Sequence, residues 1–193
     1  MFSLQVQKAS KRFHREWIFK NLDLELSAGD ALAITGSNGS GKSTLLKCLS
    51  GAIPLTQGSI EYRLGTTLLP EESWFRSLAI ATPYLELPEE FTLNEALSFH
   101  FQFKKPLNQL STQEILAILG LEKHQSKSIS QFSSGMKQRV KLAIAIFSEV
   151  PLLFLDEPTT NLDKQGVSWY LELLRPCAQA RLLLVCCMAC RSC

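Results

Sequence analysis

No apolar run in this sequence approaches the roughly 18 residues needed to cross a bilayer, and Met1-Phe2-Ser3-Leu4-Gln5-Val6 lacks the apolar centre of a secretory signal. The two absences argue against a spanning helix. They lead us to expect a cytoplasmic protein whose only route to a membrane is a partner. A dense basic block is also missing: the formal net charge is +2, and Lys8, Lys11, Arg12 and Arg15 are the nearest approach to one. They read as a solvated face, so no nucleic-acid partner is expected. Internal repeats and low-complexity linkers are absent as well. Cysteine is scarce until the end, where Cys177, Cys186, Cys187, Cys190 and Cys193 crowd together; in a cytoplasmic protein they are not expected to be structural disulfides.

What is present is a chain of 193 residues, 46% hydrophobic and 20% charged. That composition buries a substantial core and suits one domain, or a core with a smaller inserted subdomain. Its most specific stretch is Gly36-Ser37-Asn38-Gly39-Ser40-Gly41-Lys42-Ser43-Thr44, which meets the phosphate-loop pattern G-x-x-x-x-G-K-[ST] at every fixed position. The apolar run Ala31–Thr35 before it reads as a buried strand, and Leu45–Leu49 after it as a helix. Glycines let successive N–H groups converge on an anion, and the helix dipole adds to their pull. Lys42 is suited to the β- and γ-phosphates, Ser43 to Mg²⁺, and Thr44 to supporting the helix start. The bland alternative is a glycine-rich turn that binds nothing.

The remaining pattern is α/β. Phe2, Leu4 and Val6 alternate with polar residues, as do Leu22, Leu24 and Leu26, which predicts an antiparallel sheet at the N-terminus. Ser59–Tyr62 and Leu78–Thr82 read as further strands. Thr92 with Glu95, and Ser111 with Glu114, have capping-box spacing ahead of apolar-sided helices, the second ending at Gly120. These mark a helical block inserted between strands. Ser134 to about Ser148 predicts another helix with Val140, Ile144 and Phe147 buried. Leu152–Leu155 reads as the fully apolar strand of a parallel-sheet centre, followed by a helix near Gln165–Arg175 and a strand Leu182–Val185. The apolar strand ends in Asp156-Glu157, where a carboxylate at the carboxyl edge of the sheet can hold Mg²⁺ and its neighbour can orient or deprotonate a water.

Taken in order, these motifs resemble the ATP-binding subunit of ATP-binding-cassette transporters over about residues 2–185. Gly36–Thr44 matches the Walker A loop, Phe132-Ser133-Ser134-Gly135-Met136 the signature loop, Leu152–Glu157 the Walker B strand, and Thr160-Asn161-Leu162-Asp163 the D-loop. The resemblance implies a P-loop NTPase with a RecA-like core sheet, an N-terminal antiparallel β part and a helical subdomain at about 84–135 of a single cassette spanning 1–193. It implies ATP and Mg²⁺, with Glu157 and Lys42 catalytic, and Phe13 stacking on adenine, with Trp17 as a second possibility. It further implies a head-to-tail homodimer or heterodimer in which Ser133, Ser134 and Gly135 serve the partner's ATP, with Asp163 among the nucleotide-binding residues, and a separate transmembrane permease that places the subunit on the cytoplasmic face.

Several positions depart from the family. The common signature is Leu-Ser-Gly-Gly-Gln, whereas Ser134 and Met136 occupy its third and fifth places here. The glutamine expected after the strand at Leu78–Thr82 is replaced by Thr82-Pro83-Tyr84. The histidine expected after the last strand is missing, and His14, His100 and His124 lie elsewhere. The C-x-x-C-x-x-C spacing of Cys187, Cys190 and Cys193 fits an iron–sulfur cluster or zinc. A truncated or frame-shifted terminus is the reading we favour. Besides a transport ATPase, two readings stay open: an ATP-binding dimerisation module with impaired hydrolysis, and a soluble cassette ATPase outside transport.

Overall fold

A computed structural model describes residues 1–178 and 180–188 of the chain. The N-terminal alternation builds two long antiparallel strands, β1 (Phe2–Phe13) and β2 (Glu16–Ser27), paired from Ser3 opposite Ser27 to Phe13 opposite Glu16. β4 (Gln57–Leu64) pairs with the other edge of β1, and β5 (Thr67–Leu69) completes a sheet of order β2-β1-β4-β5. The short run expected at Ser59–Tyr62 is thus an eight-residue strand of the N-terminal sheet.

The second sheet is parallel, with order β3-β8-β7-β6 for β3 (Ala31–Thr35), β6 (Leu78–Ala81), β7 (Leu152–Asp156) and β8 (Leu182–Cys187). Strand periodicity sends alternate residues to opposite faces. On β7 and β8, Leu152, Phe154, Leu182, Leu184 and Cys186 pack toward the antiparallel sheet, while Leu153, Leu155, Leu183 and Val185 pack toward the helices. Two cores flank one sheet, so these central strands are apolar throughout. β3 corrects the expectation of a buried strand: it is an edge, with Ala31, Ala33 and Thr35 exposed and Leu32 and Ile34 half-buried.

The helices are α1 (Lys42–Leu49), α2 (Leu93–Phe103), α3 (Thr112–Leu119), α4 (Ser134–Ile146) and α5 (Lys164–Ala178). Both expected capping boxes form: Thr92 and Ser111 each accept from the backbone N–H three residues on, and Glu95 and Glu114 each accept from the cap's own N–H. Those bonds hold both carboxyls below the usual carboxylate range. α4 is enclosed more than an amphipathic reading predicts, with Leu142 to Phe147 all buried. Its C-terminal carbonyls are satisfied by the buried Arg181, which donates to Ser148 O (3.0 Å) and Ile146 O (2.8 Å) and so ties the helix to the start of β8. Between the sheets, Tyr62 stacks on Trp74 at 4.3 Å, and its buried hydroxyl donates to Leu49 O.

Candidate functional site

β3, β7 and β8 run parallel, so the loops at their carboxyl ends meet on one sheet edge, the position where open α/β sheets bind ligands. The phosphate loop leaves β3 there and enters α1 through Gly41, whose φ of 94° lies in the left-handed region. A side chain at Gly41 would also strike Ile18, since an added Cβ would sit 2.3 Å from Ile18 Cγ2. Asn38, Gly39, Ser40, Gly41, Lys42, Ser43 and Thr44 line a cleft of about 450 Å³ together with Ile18, Lys47, Tyr84 and Glu157. The first N–H groups of α1 have no partner within the helix, which suits an anion in this cleft.

Lys42 is buried, and its ammonium donates to Gly36 O (2.8 Å) and Ser37 O (3.0 Å), so the loop wraps its own cation. Asp156, at the end of β7, is 2% exposed. Its Oδ1 has no hydrogen-bond partner among the described residues. Burial raises the Asp156 carboxyl above its ordinary value and the neighbouring Glu157 charge adds to this, against a hydrogen bond from Ser43 and the charges of Lys42 and Lys47. A buried anion with an unsatisfied oxygen beside a serine hydroxyl is a donor set that fits a hard dication such as Mg²⁺. Cys186, opposite Asp156 on β8, is held neutral: burial, with Asp156 next, pushes its thiol up to about 12, and its Sγ faces Lys42 O at 3.9 Å.

Glu157 has a positive φ of 46°, which turns the chain sharply after the strand. The turn is braced by Glu157 N–H donating to Cys186 O (2.8 Å), Thr160 Oγ1 donating to Glu157 Oε2 (3.3 Å), and the buried Gln138 amide donating to Pro158 O (2.9 Å). Strain of this kind persists only where surroundings over-determine it. Here bonds from β8, from α4 and within the loop itself do so, and Glu157 lines the cleft.

The other sequence-derived candidates lie apart from the cleft. Ser133 caps α4, accepting from Met136 N–H, and both Ser133 and Ser134 are exposed. Gly135 packs so closely on the loop after β7 that an added Cβ would lie 3.0 Å from Asn161 O. Met136, in the place of the usual glutamine, is partly buried against the helical core. Asp163 accepts from Gly166 N–H at 2.7 Å, an N-cap contact for α5. Phe13 sits at the end of β1, 45% exposed, with Lys11 Nζ 4.8 Å from its ring centre, and Ile18 rather than Phe13 lines the cleft. Trp17 carries Arg12 and Lys20 on its ring. Lys11 itself is buried, donating to Pro54 O, so the basic stretch is not wholly a solvated face.

Sequence reasoning missed Ile18, Lys47 and Tyr84 in the cleft. Lys47 was legible, since it follows Ser43 by four residues on one helix face. Ile18 arrives by packing across from β2, and no local signal announces it. The proposed cysteine cluster falls partly on Cys190 and Cys193, which lie outside the described residues. Among the described residues, no group of three or more His, Cys, Asp or Glu is placed to hold a metal, and no helix is long and apolar enough to cross a membrane.

Residues 19–160 match the family model described as ABC transporter. The chain belongs to the ABC transporter family. The uncharacterized ABC transporter ATP-binding protein YybJ of Bacillus subtilis (strain 168) is 32% identical over 171 residues, spanning 89% of this chain and 78% of the relative. The cytochrome c biogenesis ATP-binding export protein CcmA of Pseudomonas putida is 36% identical over 172 residues, spanning 86% and 80%. A solved ATP-binding subunit of an ABC transporter superposes with a TM-score of 0.79 at 28% identity, covering 95% of this chain and 78% of that one. The ABC ATPase fold follows, and with it ATP as the family's nucleotide.

Proposed function

We propose that this protein is the ATP-hydrolysing subunit of an ABC transporter and drives a separate membrane permease from the cytoplasmic face. The observation that carries this reading is the convergence of Lys42, Ser43 and Glu157 in one cleft, with the buried Asp156 ending β7 beside them, at one sheet edge. Lys42 and the N–H groups of Gly39–Gly41 bind the phosphates, and Ser43 and Asp156 hold Mg²⁺. When bound, Mg²⁺ offsets charge on the phosphates as the terminal group departs. Glu157 accepts a proton from, or orients, the attacking water. Phe13 or Trp17 supplies the base platform, from a rim that the cleft lining does not include.

Residues 1–193 act as a single cassette with a helical subdomain at about 84–135. Two cassettes, as homodimer or heterodimer, meet head to tail. Ser133, Ser134, Gly135 and Asp163 of each complete the other's cleft; their exposure, or distance from their own cleft, supports this. Permease contact falls to the apolar surface around Phe75, Leu85, Phe99 and Phe103, all exposed large hydrophobics: Leu85 and Phe99 line a groove between β6 and α2, Phe75 and Leu85 one between the end of α1 and β6, and Phe75 and Phe103 a third.

A second reading has its own observation. No histidine lines the cleft: His14 is exposed on the β1–β2 turn, His100 bonds Ser148, and His124 packs near Phe132. A chain without the histidine that the family resemblance places after the last strand would bind ATP and dimerise but turn over slowly. Steady-state ATPase activity of the full chain against Glu157→Gln separates the two. A transport ATPase loses at least about 100-fold in the variant, on the scale of a lost general base; equal rates favour the binding module.

A further inference from the structure

Ala96, His100 and Lys104 follow one another at four-residue spacing along α2 and its C-cap, and all three line one cavity of about 300 Å³. This cavity shares no residue with the nucleotide cleft. Its space exists because three elements turn an alanine toward it: Ala79 of β6, Ala96 of α2 and Ala145 of α4 are buried and line it together. Leu87 and Ile144 add to the apolar interior, while the exposed Leu85 and Phe99 stand at the mouth.

Within these apolar walls the chain places one cation. Lys104 is half-buried, and its ammonium donates to Leu78 O at the start of β6, which uses one of its three donors. Among the described residues no ion pair involves Lys104, and burial lowers its pKa from the ordinary value. His100 beside it is held neutral, by burial first and the Lys104 charge next, and its Nε2 is engaged with Ser148 Oγ at 2.9 Å. The other ionisable side chain on the lining is Glu86, which is exposed and whose charge acts on Lys141 of α4. A charge drawn into an apolar wall without a counter-charge costs free energy, and an anion bound beside it offsets that cost. An apolar cavity with a few convergent polar groups is the usual form of a small-ligand site, and about 300 Å³ lies at the small end of the ~300–1,000 Å³ such sites span. The buried alanines lie beyond Leu85 and Phe99, within reach of a narrow chain rather than of a folded surface.

We propose that this cavity binds a small amphipathic carboxylate, whose anionic head pairs with Lys104 and whose apolar tail lies against Ala79, Ala96 and Ala145. The site is separate from the phosphate loop, and its occupancy does not depend on ATP turnover.

The probe is octanoate, with octanamide as its uncharged counterpart, titrated into the full chain labelled with ¹³C at the alanine methyl groups and followed by NMR. Octanoate is expected to shift the signals of Ala79, Ala96 and Ala145 saturably and with one affinity, leaving Ala31 and Ala33 on β3 in place. Lys104→Met keeps the apolar stem and removes the charge. Loss of one charge-assisted hydrogen bond predicts at least about tenfold weaker octanoate binding, with octanamide within about twofold of wild type. Where Lys104→Met fails to fold, Ala96→Leu fills the cavity instead and is expected to abolish the shifts at Ala79 and Ala145; shifts that persist overturn the inference. No saturable shift at the three alanines overturns it and leaves the groove to the permease surface that meets its mouth. Octanoate binding that Lys104→Met leaves unchanged overturns it too, as does equal weakening of both probes, which would assign Lys104 to shaping the wall. A chain that takes up octanoate but hydrolyses no ATP overturns the transport reading alone, whereas one that hydrolyses ATP and takes up no octanoate overturns this inference alone.

Discussion

The phosphate-loop end of the molecule and the signature end are built in opposite senses. At the first, polar groups are drawn inward: Lys42 and Asp156 are buried, and Lys42 donates to Gly36 O and Ser37 O of its own loop. At the second, Ser133 and Ser134 stand exposed at the start of α4, and only Gly135 is pressed inward, against Asn161 O. Burying a charge costs free energy unless a partner or ligand compensates it; the loop carbonyls compensate Lys42, and the unpartnered Asp156 Oδ1 is the group a ligand would complete. An exposed helix start costs nothing to leave open and waits for a ligand from outside. On the head-to-tail dimer proposed above, the two ends are complementary halves of one site that a second copy would join. Within a chain, Gln138 donates to Pro158 O and Gly135 packs against the backbone at Asn161, so α4 meets the loop after β7 at two places.

The sharpest way to break this comparison is to spoil the outward half alone. Ser134→Trp, at an exposed position, is expected to leave fold and monomer nucleotide affinity within about twofold. In a Glu157→Gln background it should abolish the ATP-dependent dimer seen by light scattering. A dimer that persists would separate the signature from the interface. Next in size is the inward half. Asp156→Asn removes the buried charge that Mg²⁺ is to offset, and Mg²⁺-ATP affinity should fall about tenfold, while affinity for ATP in chelator changes little. Equal losses with and without Mg²⁺ would mean that Asp156 only shapes the loop.

The smallest effect contrasts Asp156 with a half-buried polar group that the chain satisfies by itself. His100 Nε2 lies 2.9 Å from Ser148 Oγ, and Ser148 already donates to Ile144 O, so the imidazole is the donor. Burial, with the Lys104 charge next, lowers the His100 pKa from 6.5 to about 4. The unfolded chain therefore binds the proton more readily than the folded one, and stability falls as pH drops from about 6.5 to about 4. Allowing for screening of a partly exposed ring, roughly 1–2 kcal/mol is lost. Urea titrations across that range should show the slope in wild type and its flattening in His100→Gln.

Much of this was legible in one dimension. Strand alternation, the two capping boxes and the phosphate loop are local features, set by side-chain spacing and backbone conformation, and each formed at the residues expected. β3 was misread because an apolar pentapeptide has the same pattern at the edge of a sheet as at its centre; only strand order decides burial. Short β4 became long for a related reason, since its length comes from pairing with β1. The candidate site divided along the same line. The residue types of Lys42, Ser43, Asp156 and Glu157 announced phosphate and metal chemistry by themselves, because that chemistry needs particular donors at particular turns.

The sequence by itself determined the α/β class, the helix starts and the phosphate-binding loop, all of which depend on interactions within a few residues. Only the tertiary structure decided that Ile18, Lys47 and Tyr84 share the cleft with Glu157, that Asp156 Oδ1 is buried without a partner, and that the signature faces outward. Those outcomes depend on which strands lie side by side and how deeply each loop end is covered. They come from packing between segments far apart in the chain, and spacing along the chain does not encode them.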